Sequence, residues 1–454
     1  MKRLVGMVHT ETSWKENCRP NRIFRVLCNI RLSPTVLLVA VFGLLSVGCT
    51  PAPEFRFNEV ELEIRRKKLL DKDEQFDDQY RADISRFLSE LFGSPDEPRF
   101  PELDDEGNPQ GLLSTERLQL AAGPVRSDRT GTKFGLYREH CAQCHGISGD
   151  GRGPTSAFLN PYPRDFRLGR FKFKSTTGRT PPTEEDLRRI LVEGIPGTAM
   201  PSFKLLGEEQ LDALVDYVKY LSMRGQVERG MIYQIDDVFA DDVRLIDWPT
   251  EAANTTSPDS VSAVNSTNRE NDDELEDQLN YYMDEVYYPY FVNWIEAETS
   301  ISEVPAPPET LWSDDELRLA GKALYLGKAN CVQCHGATGI GDGQTTNFDL
   351  WTTNWLETPG VKAVDVRTHQ DFIRAGAFPA RTMKPRNLRL GVFRGGNRPA
   401  DIYRRIANGI DGTPMPAAST LEPDEVWALV AYVLRLKDDP LSSNHRLSTV
   451  GEKR

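Results

Sequence analysis

The pattern C-x-x-C-H occurs twice in this 454-residue chain, at residues 141–145 and 331–335. In each copy two thiols and an imidazole share one short stretch of backbone. A c-type haem is attached through this pattern, because both thiols can form thioethers with one porphyrin edge while the histidine binds the iron. The pattern therefore predicts two covalently bound haem c groups. The predicted haem-binding residues are Cys141, Cys144 and His145 in the first copy and Cys331, Cys334 and His335 in the second.

Other uses of a C-x-x-C pair are a redox dithiol and half of a zinc site. A zinc site needs two pairs close together, whereas these pairs lie 190 positions apart. A thioredoxin-like dithiol needs a βαβ setting, and neither flank shows one. The histidine directly after both pairs favours haem.

The sequence around the first motif is repeated around the second. Each motif is followed by a glycine-rich loop, a segment beginning Pro-Arg-Asp or Pro-Arg-Asn (163–169 and 385–391), a short helical segment, a G-T-x-M-P loop and an amphipathic closing helix. Such internal similarity predicts two homologous units. We call residues 129–226 the first repeat and residues 311–439 the second repeat. The second repeat has about thirty additional residues between Gln344 and Lys384, here called the insert.

Helical periodicity and capping signals place the helices of the first repeat. A helix over Lys133–Cys144 delivers the haem motif, Thr183 is a plausible N-cap for Glu184–Glu193, and Glu208–Leu221 is amphipathic. In the second repeat, Pro423–Leu436 is the matching closing helix.

The segments outside the repeats have different compositions. Residues 50–128 predict a helical stalk and a loop, and residues 440–454 a polar tail. Residues 227–310 predict an acidic linker that is partly disordered around Ala252–Asn268, where apolar residues are scarce. The linker also contains an aromatic helix over Asp272–Thr299, which Pro289 should kink or split.

The N-terminal 49 residues have the pattern of an export signal. Seven lysines and arginines oppose two glutamates, and an apolar run of 13 residues, Thr35–Val47, is too short to span a bilayer comfortably. The run ends near Cys49, in a context similar to the lipid-attachment site of bacterial lipoproteins. Ordinary cleavage or a retained short anchor are the alternatives. The cysteine count agrees with export. Cys18 and Cys28 would leave with the signal, Cys49 would carry the lipid, and the four motif cysteines would bind haem, so no thiol is left over.

Charge limits the class of partner. The chain carries −13, and removing the +5 of residues 1–49 leaves −18 on the remainder. An acidic exterior argues against nucleic acid and favours basic redox partners, whose association salt should weaken.

The two motifs, the repeated loops and the closing helices resemble class I c-type cytochromes. The similarity covers about half of the chain and implies an all-α fold with two cytochrome c-like domains, a linker between them and a helical N-terminal segment. It implies that His145 and His335 bind iron with a methionine opposite. The repeated G-T-x-M-P loops identify Met200 and Met415 as those methionines. Met383, His140 and His369 are weaker alternatives.

The resemblance also implies which backbone carbonyl orients each haem-binding histidine. A ligating histidine normally donates its other N–H to a backbone carbonyl. In the family that carbonyl belongs to a proline shortly after the motif. Pro154 matches this position in the first repeat, and Gln344 occupies it in the second.

Within the class, the chain is similar to periplasmic or membrane-tethered dihaem cytochromes, including subunits that feed haem-copper oxidases. This implies an electron carrier rather than an enzyme, on the periplasmic side of a bacterial inner membrane. It would link a quinol-oxidising complex or dehydrogenase to a terminal oxidase or reductase. The enzymatic alternative is a dihaem peroxidase, which needs one haem with an open sixth position. A permanent subunit of an oxidase is the third possibility.

Overall fold

The computed structural model describes residues 52–69, 78–101, 111–239, 243–249, 273–344, 347–362 and 364–439. The predicted signal with Cys49, the segment Ala252–Asn268 and the tail 440–454 lie outside the described residues. Within the described ranges, no helix combines the length and apolar character needed to cross a membrane.

Helices dominate both repeats, which confirms the predicted all-α class. Strands β1 and β2 form a short antiparallel pair before the first motif. The elements up to the end of the first repeat are α1 (Glu59–Leu69), α2 (Gln79–Phe92), α3 (Thr115–Ala121), β1 (Arg126–Ser127), β2 (Lys133–Phe134), α4 (Leu136–His140), α5 (Ala142–His145), α6 (Glu184–Glu193) and α7 (Glu208–Val238). The later helices are α8 (273–282), α9 (Tyr288–Glu296), α10 (Asp315–Leu326), α11 (Val332–His335), α12 (Leu350–Leu356), α13 (Gln370–Arg374), α14 (Pro399–Asn408) and α15 (Pro423–Arg435).

Helix α7 is the central element of the first core and is much longer than predicted. It was expected to end at Leu221, but it continues to Val238. Val227, Met231 and Ile235 are fully buried, at intervals of four residues that keep them on one helical face. The helix continues because other parts of the chain cover this face.

Helices α1 and α2, which lie in the predicted stalk, pack against part of α7. Ile84 and Phe87 of α2 are buried in the same core as α7. The buried carboxylate of Glu228 on α7 accepts a hydrogen bond from the backbone N–H of Asn58 at 3.1 Å. Ile84 and Phe87 therefore belong to the first core.

The aromatic helix covers another part of α7. Tyr287, Phe291 and Trp294 are buried in the first core, and the indole N–H of Trp294 donates to the side-chain oxygen of Gln226 at 2.9 Å. A π-helical turn, Met283–Tyr287, joins α8 to α9 and ends two residues before Pro289. Proline cannot donate a helical hydrogen bond and clashes with the preceding turn, and the wider π turn accommodates it without splitting the helix.

The second repeat has its own core between α10, α14 and α15, in which Tyr325, Trp427 and Leu429 are buried. The insert forms a third, smaller core. Trp355 and Phe372 of the insert pack with Ile64 of α1.

The two repeats also contact each other directly. Arg189 of the first repeat pairs with Asp401 of the second at 2.7 Å. From the insert, Arg381 donates to the carbonyl of Ala157 at 2.9 Å. The rings of Tyr162 and Phe378 stack with centroids 4.5 Å apart. The acidic linker is therefore not the sole connection between the repeats.

Candidate functional site

The first C-x-x-C-H motif lies on a single turn of helix. A continuous helix over Lys133–Cys144 was expected, but β2 occupies its start and the backbone breaks at Cys141 between α4 and α5. The N–H groups of Cys144 and His145 both donate to the Cys141 carbonyl, at 3.1 and 2.8 Å. The break starts a new turn that brings both thiols and the imidazole together.

The second motif is built in the same way. The N–H groups of Cys334 and His335 donate to the Cys331 carbonyl at 3.3 and 2.9 Å. Each motif is followed by a glycine with positive φ, whose carbonyl accepts a hydrogen bond from a buried tyrosine hydroxyl. These pairs are Tyr137 with Gly146 at 2.9 Å and Tyr325 with Gly336 at 2.7 Å.

A backbone carbonyl fixes each histidine, but the carbonyl differs from the one predicted. Nδ1 of His145 lies 3.0 Å from the carbonyl oxygen of Arg164, and Nδ1 of His335 lies 3.0 Å from that of Arg386. The assignment to Pro154 and Gln344 was therefore wrong. A carbonyl can only accept, so Nδ1 carries the proton and Nε2 is left with a lone pair for a metal.

Burial favours the protonation state that can bind iron. It lowers the pKa of His145 to about 4 and also lowers the pKa of His335. Both imidazoles are therefore neutral near pH 7, the form that coordinates a metal. The ring of His145 stacks on Phe166, with centroids 4.5 Å apart.

The glycine-rich loops press against the motifs. A Cβ at Gly153 would lie 2.4 Å from the carbonyl oxygens of Ala142 and Gln143, and a Cβ at Gly343 would lie 2.3 Å from that of Gln333. Real Cβ atoms do not approach backbone oxygens so closely. Only glycine permits this contact, which holds the thiol-bearing turn in place.

The two G-T-x-M-P loops have the same hydrogen bonds. The Thr198 hydroxyl donates to the Ile195 carbonyl at 2.8 Å and accepts from the Met200 N–H at 3.1 Å. In the second loop Thr413 makes the same two bonds, to Ile410 at 2.8 Å and from Met415 at 3.2 Å. Each methionine is half-buried and packs against the core of its own repeat. Their role as iron ligands stays a prediction.

The alternative ligands lie in different surroundings. Met383 donates its backbone N–H to the Asn347 carbonyl at 2.7 Å within the insert. His369 is buried beside Trp355, with ring centroids 5.2 Å apart. His140 packs near Phe203, with centroids 5.9 Å apart.

These donors fit a c-type haem. All four motif cysteines are free thiols, and each neighbouring histidine presents Nε2. In the part of the chain that the structure describes, no three His, Cys, Asp or Glu side chains come together as metal ligands, the arrangement that a zinc site would need.

Comparison with known proteins agrees with this geometry. Residues 134–222 and 319–437 match the family model for cytochrome c. Cytochrome c55X of Paracoccus denitrificans (strain Pd 1222) is 33% identical over 101 residues, which are 21% of this chain and 79% of that protein. The chain belongs to the cytochrome c family. It therefore has two cytochrome c domains, and the family implies covalently bound haem c and electron transfer.

The chain is also similar to one solved structure, from a reducing HAO-like (hydroxylamine oxidoreductase-like) protein complex of Kuenenia stuttgartiensis. The two sequences are 26% identical, and the matched region covers 66% of this chain and 94% of the other. Its TM-score is 0.41, too low to define a shared fold. The prediction that the present cytochrome is not an enzyme is withdrawn.

Proposed function

We propose that this cytochrome binds two haem c groups and carries single electrons between respiratory partners. The observation that supports the proposal best is that both domains repeat the same set of contacts. Each has a motif turn held by a tyrosine, a histidine held by a carbonyl of the Pro-Arg segment, and a methionine loop held by its threonine. A haem bound there supplies an iron that alternates between ferric and ferrous states.

The protein supplies the conditions for that cycle. Nδ1–H of His145 and His335 orients each ring through a carbonyl. A thioether ligand from Met200 or Met415 would favour reduced iron and raise the potential.

We further propose that the chain is held at the periplasmic face of a bacterial inner membrane, by lipid on Cys49 or by a signal anchor. There it would accept electrons from a quinol-oxidising complex or dehydrogenase and pass them to a terminal oxidase or reductase. The −18 charge outside residues 1–49 supports basic redox partners.

The test is made on the exported holoprotein. Haem content is measured first, and two haems per chain are expected. Electron exchange with a small basic cytochrome, followed by stopped-flow absorbance, should slow steeply as ionic strength rises, because salt screens the attraction between opposite charges. An acidic redox partner serves as the control. Equal rates with both partners at all salt concentrations would overturn the partner assignment, and high-spin ferric haem with peroxide turnover would overturn the carrier.

A further inference from the structure

A cavity of about 280 Å³ lies between the two cytochrome c domains. The first domain contributes Lys172 and Lys174 to its wall, and the second contributes Arg404 and Arg405. The loop that ends in Met415 forms another part of the wall. The cavity is therefore strongly cationic in a chain whose net charge is −13.

The cations of the cavity are largely removed from water, and two of them, Lys174 and Arg405, donate to backbone carbonyls. Burial lowers the pKa of Lys172 to about 7, and nearby Arg164 and Arg394 lower it further. Burial also lowers the pKa of Lys174, and that of Arg405 to about 10. Grouping buried like charges is unfavourable unless an anion compensates them.

The protein supplies little negative charge at this place. Asp411 is the single carboxylate among the lining residues, and one of its oxygens lies 3.8 Å from Nζ of Lys174. Three buried polar atoms of the lining lack a hydrogen-bond partner: Nε of Arg404, Nδ2 of Asn408 and Oδ2 of Asp411. Two of these three are donors. Unpaired buried donors beside buried cations are the features of an anion site.

We propose that this cavity binds an oxyanion, and that the oxyanion is a propionate carboxylate of the haem held by Cys331, Cys334 and His335. The inference rests on the proposed haem in the second domain. Its position supports this source, because the wall of the cavity includes Met415, the predicted ligand of that haem. A free oxyanion such as inorganic phosphate is the other source of the same chemistry.

The site needs both domains. Lys172 and Lys174 belong to the first domain, while the haem motif and Met415 belong to the second. The first domain thus completes the binding site of the second domain's haem. The contact also places positive charge beside one haem, where it stabilises the reduced state.

The test uses holoprotein whose content of two haems has been confirmed, so that failure of haem attachment is recognised separately. Lys172→Met and Arg404→Gln each remove a cation from the cavity. In a spectroscopic redox titration, each variant should lower the midpoint potential of the second domain's haem and leave that of the first domain's haem unchanged. Lys172→Arg should retain the wild-type potential. Lys133→Gln, which removes an exposed cation on β2, is the control and should change neither potential.

A second measurement separates the two sources of oxyanion. Inorganic phosphate is titrated into wild-type holoprotein in a calorimeter. No binding, together with the lowered potential in the variants, supports the propionate. Phosphate binding that is lost in Lys172→Met supports a free oxyanion and overturns the propionate assignment. Unchanged potentials in both variants and no phosphate binding overturn the site.

Discussion

Arg386 of the second domain lies against Gly197 of the first. A Cβ at Gly197 would lie 2.5 Å from the Arg386 guanidinium, and the neighbouring Arg394 donates to the Gly197 carbonyl at 3.3 Å. The carbonyl of the same Arg386 accepts from His335. One residue therefore connects the histidine of the second motif to the methionine loop of the first, and the relative position of the two sites depends on the contact between domains.

The ion pair between Asp401 and Arg189 should make the contact between the two domains sensitive to acid. Burial alone would raise the pKa of Asp401, but a hydrogen bond from Arg398 and the charge of Arg189 outweigh it and hold this pKa below its usual value. A lowered pKa stabilises the fold above the unfolded-state value of roughly 4, and this stabilisation is lost as pH falls through the folded-state pKa. Asp401→Asn should lower the free energy of unfolding by about 3 kcal/mol at pH 7 and by less at pH 3.

Urea unfolding between pH 3 and 7 measures this difference. Glu303→Gln, which neutralises an exposed carboxylate, is the control and should have little effect at any pH. The same loss for Asp401→Asn at pH 3 and pH 7 would disprove the role given to this ion pair.

The methionine assignments predict a separable effect on each haem. Met200→Ala and Met415→Ala should each remove about half of the methionine-to-iron charge-transfer absorbance, because each haem loses its own sixth ligand. The midpoint potential of the affected haem should fall. Met383→Ala is the matched control and should leave the absorbance intact. If Met383→Ala removes the band and Met415→Ala does not, the insert supplies the ligand of the second haem.

The threonine hydroxyls of the two methionine loops should contribute equally to stability and to methionine ligation in the two domains. Thr198→Val removes the bond to the Ile195 carbonyl and the bond from the Met200 N–H. The expected loss is about 1 to 2 kcal/mol of unfolding free energy, together with weaker methionine ligation at one haem. Thr413→Val should behave in the same way at the other haem. Thr198→Ser keeps the hydroxyl and should therefore retain the methionine-to-iron charge-transfer absorbance. If the Val and Ser variants behave alike, the role of this hydroxyl is refuted.

Gly153 should tolerate no side chain. The new methyl in Gly153→Ala would meet two backbone carbonyls at 2.4 Å, and overpacking of this kind costs about 1 to 3 kcal/mol. The strain falls on the turn that presents Cys144, so the yield of haem on the first motif should drop. At Gly207 a Cβ has no neighbour closer than 3.9 Å, which makes Gly207→Ala the control. Equal haem yields in the two variants would contradict this explanation.

Much of the site could be predicted from the repeated sequence. The C-x-x-C-H and G-T-x-M-P segments occur twice in the same order, and the structure forms the same turn and loop from each copy. Local chemistry also placed α6, whose predicted cap at Thr183 accepts from the Asp186 N–H at 3.1 Å.

Contacts set by tertiary structure were missed. The carbonyl partner of His145 is 19 positions away, and that of His335 is 51 positions away because the insert intervenes. Spacing from the motif therefore could not identify Arg164 and Arg386, although both belong to the repeated Pro-Arg segment. The length of α7 was missed for a different reason: the buried positions Val227 and Met231 follow helical spacing, but the segments that cover them are distant in sequence.

The central claim is that each domain carries one covalently bound haem. Intact-mass spectrometry of the exported protein tests it most directly, with Cys141→Ala/Cys144→Ala and Cys331→Ala/Cys334→Ala as matched variants. The account predicts the added mass of two haems in the wild type and of one haem in each variant. Unmodified cysteines at either motif of the wild-type protein, or zinc in place of haem, would contradict it.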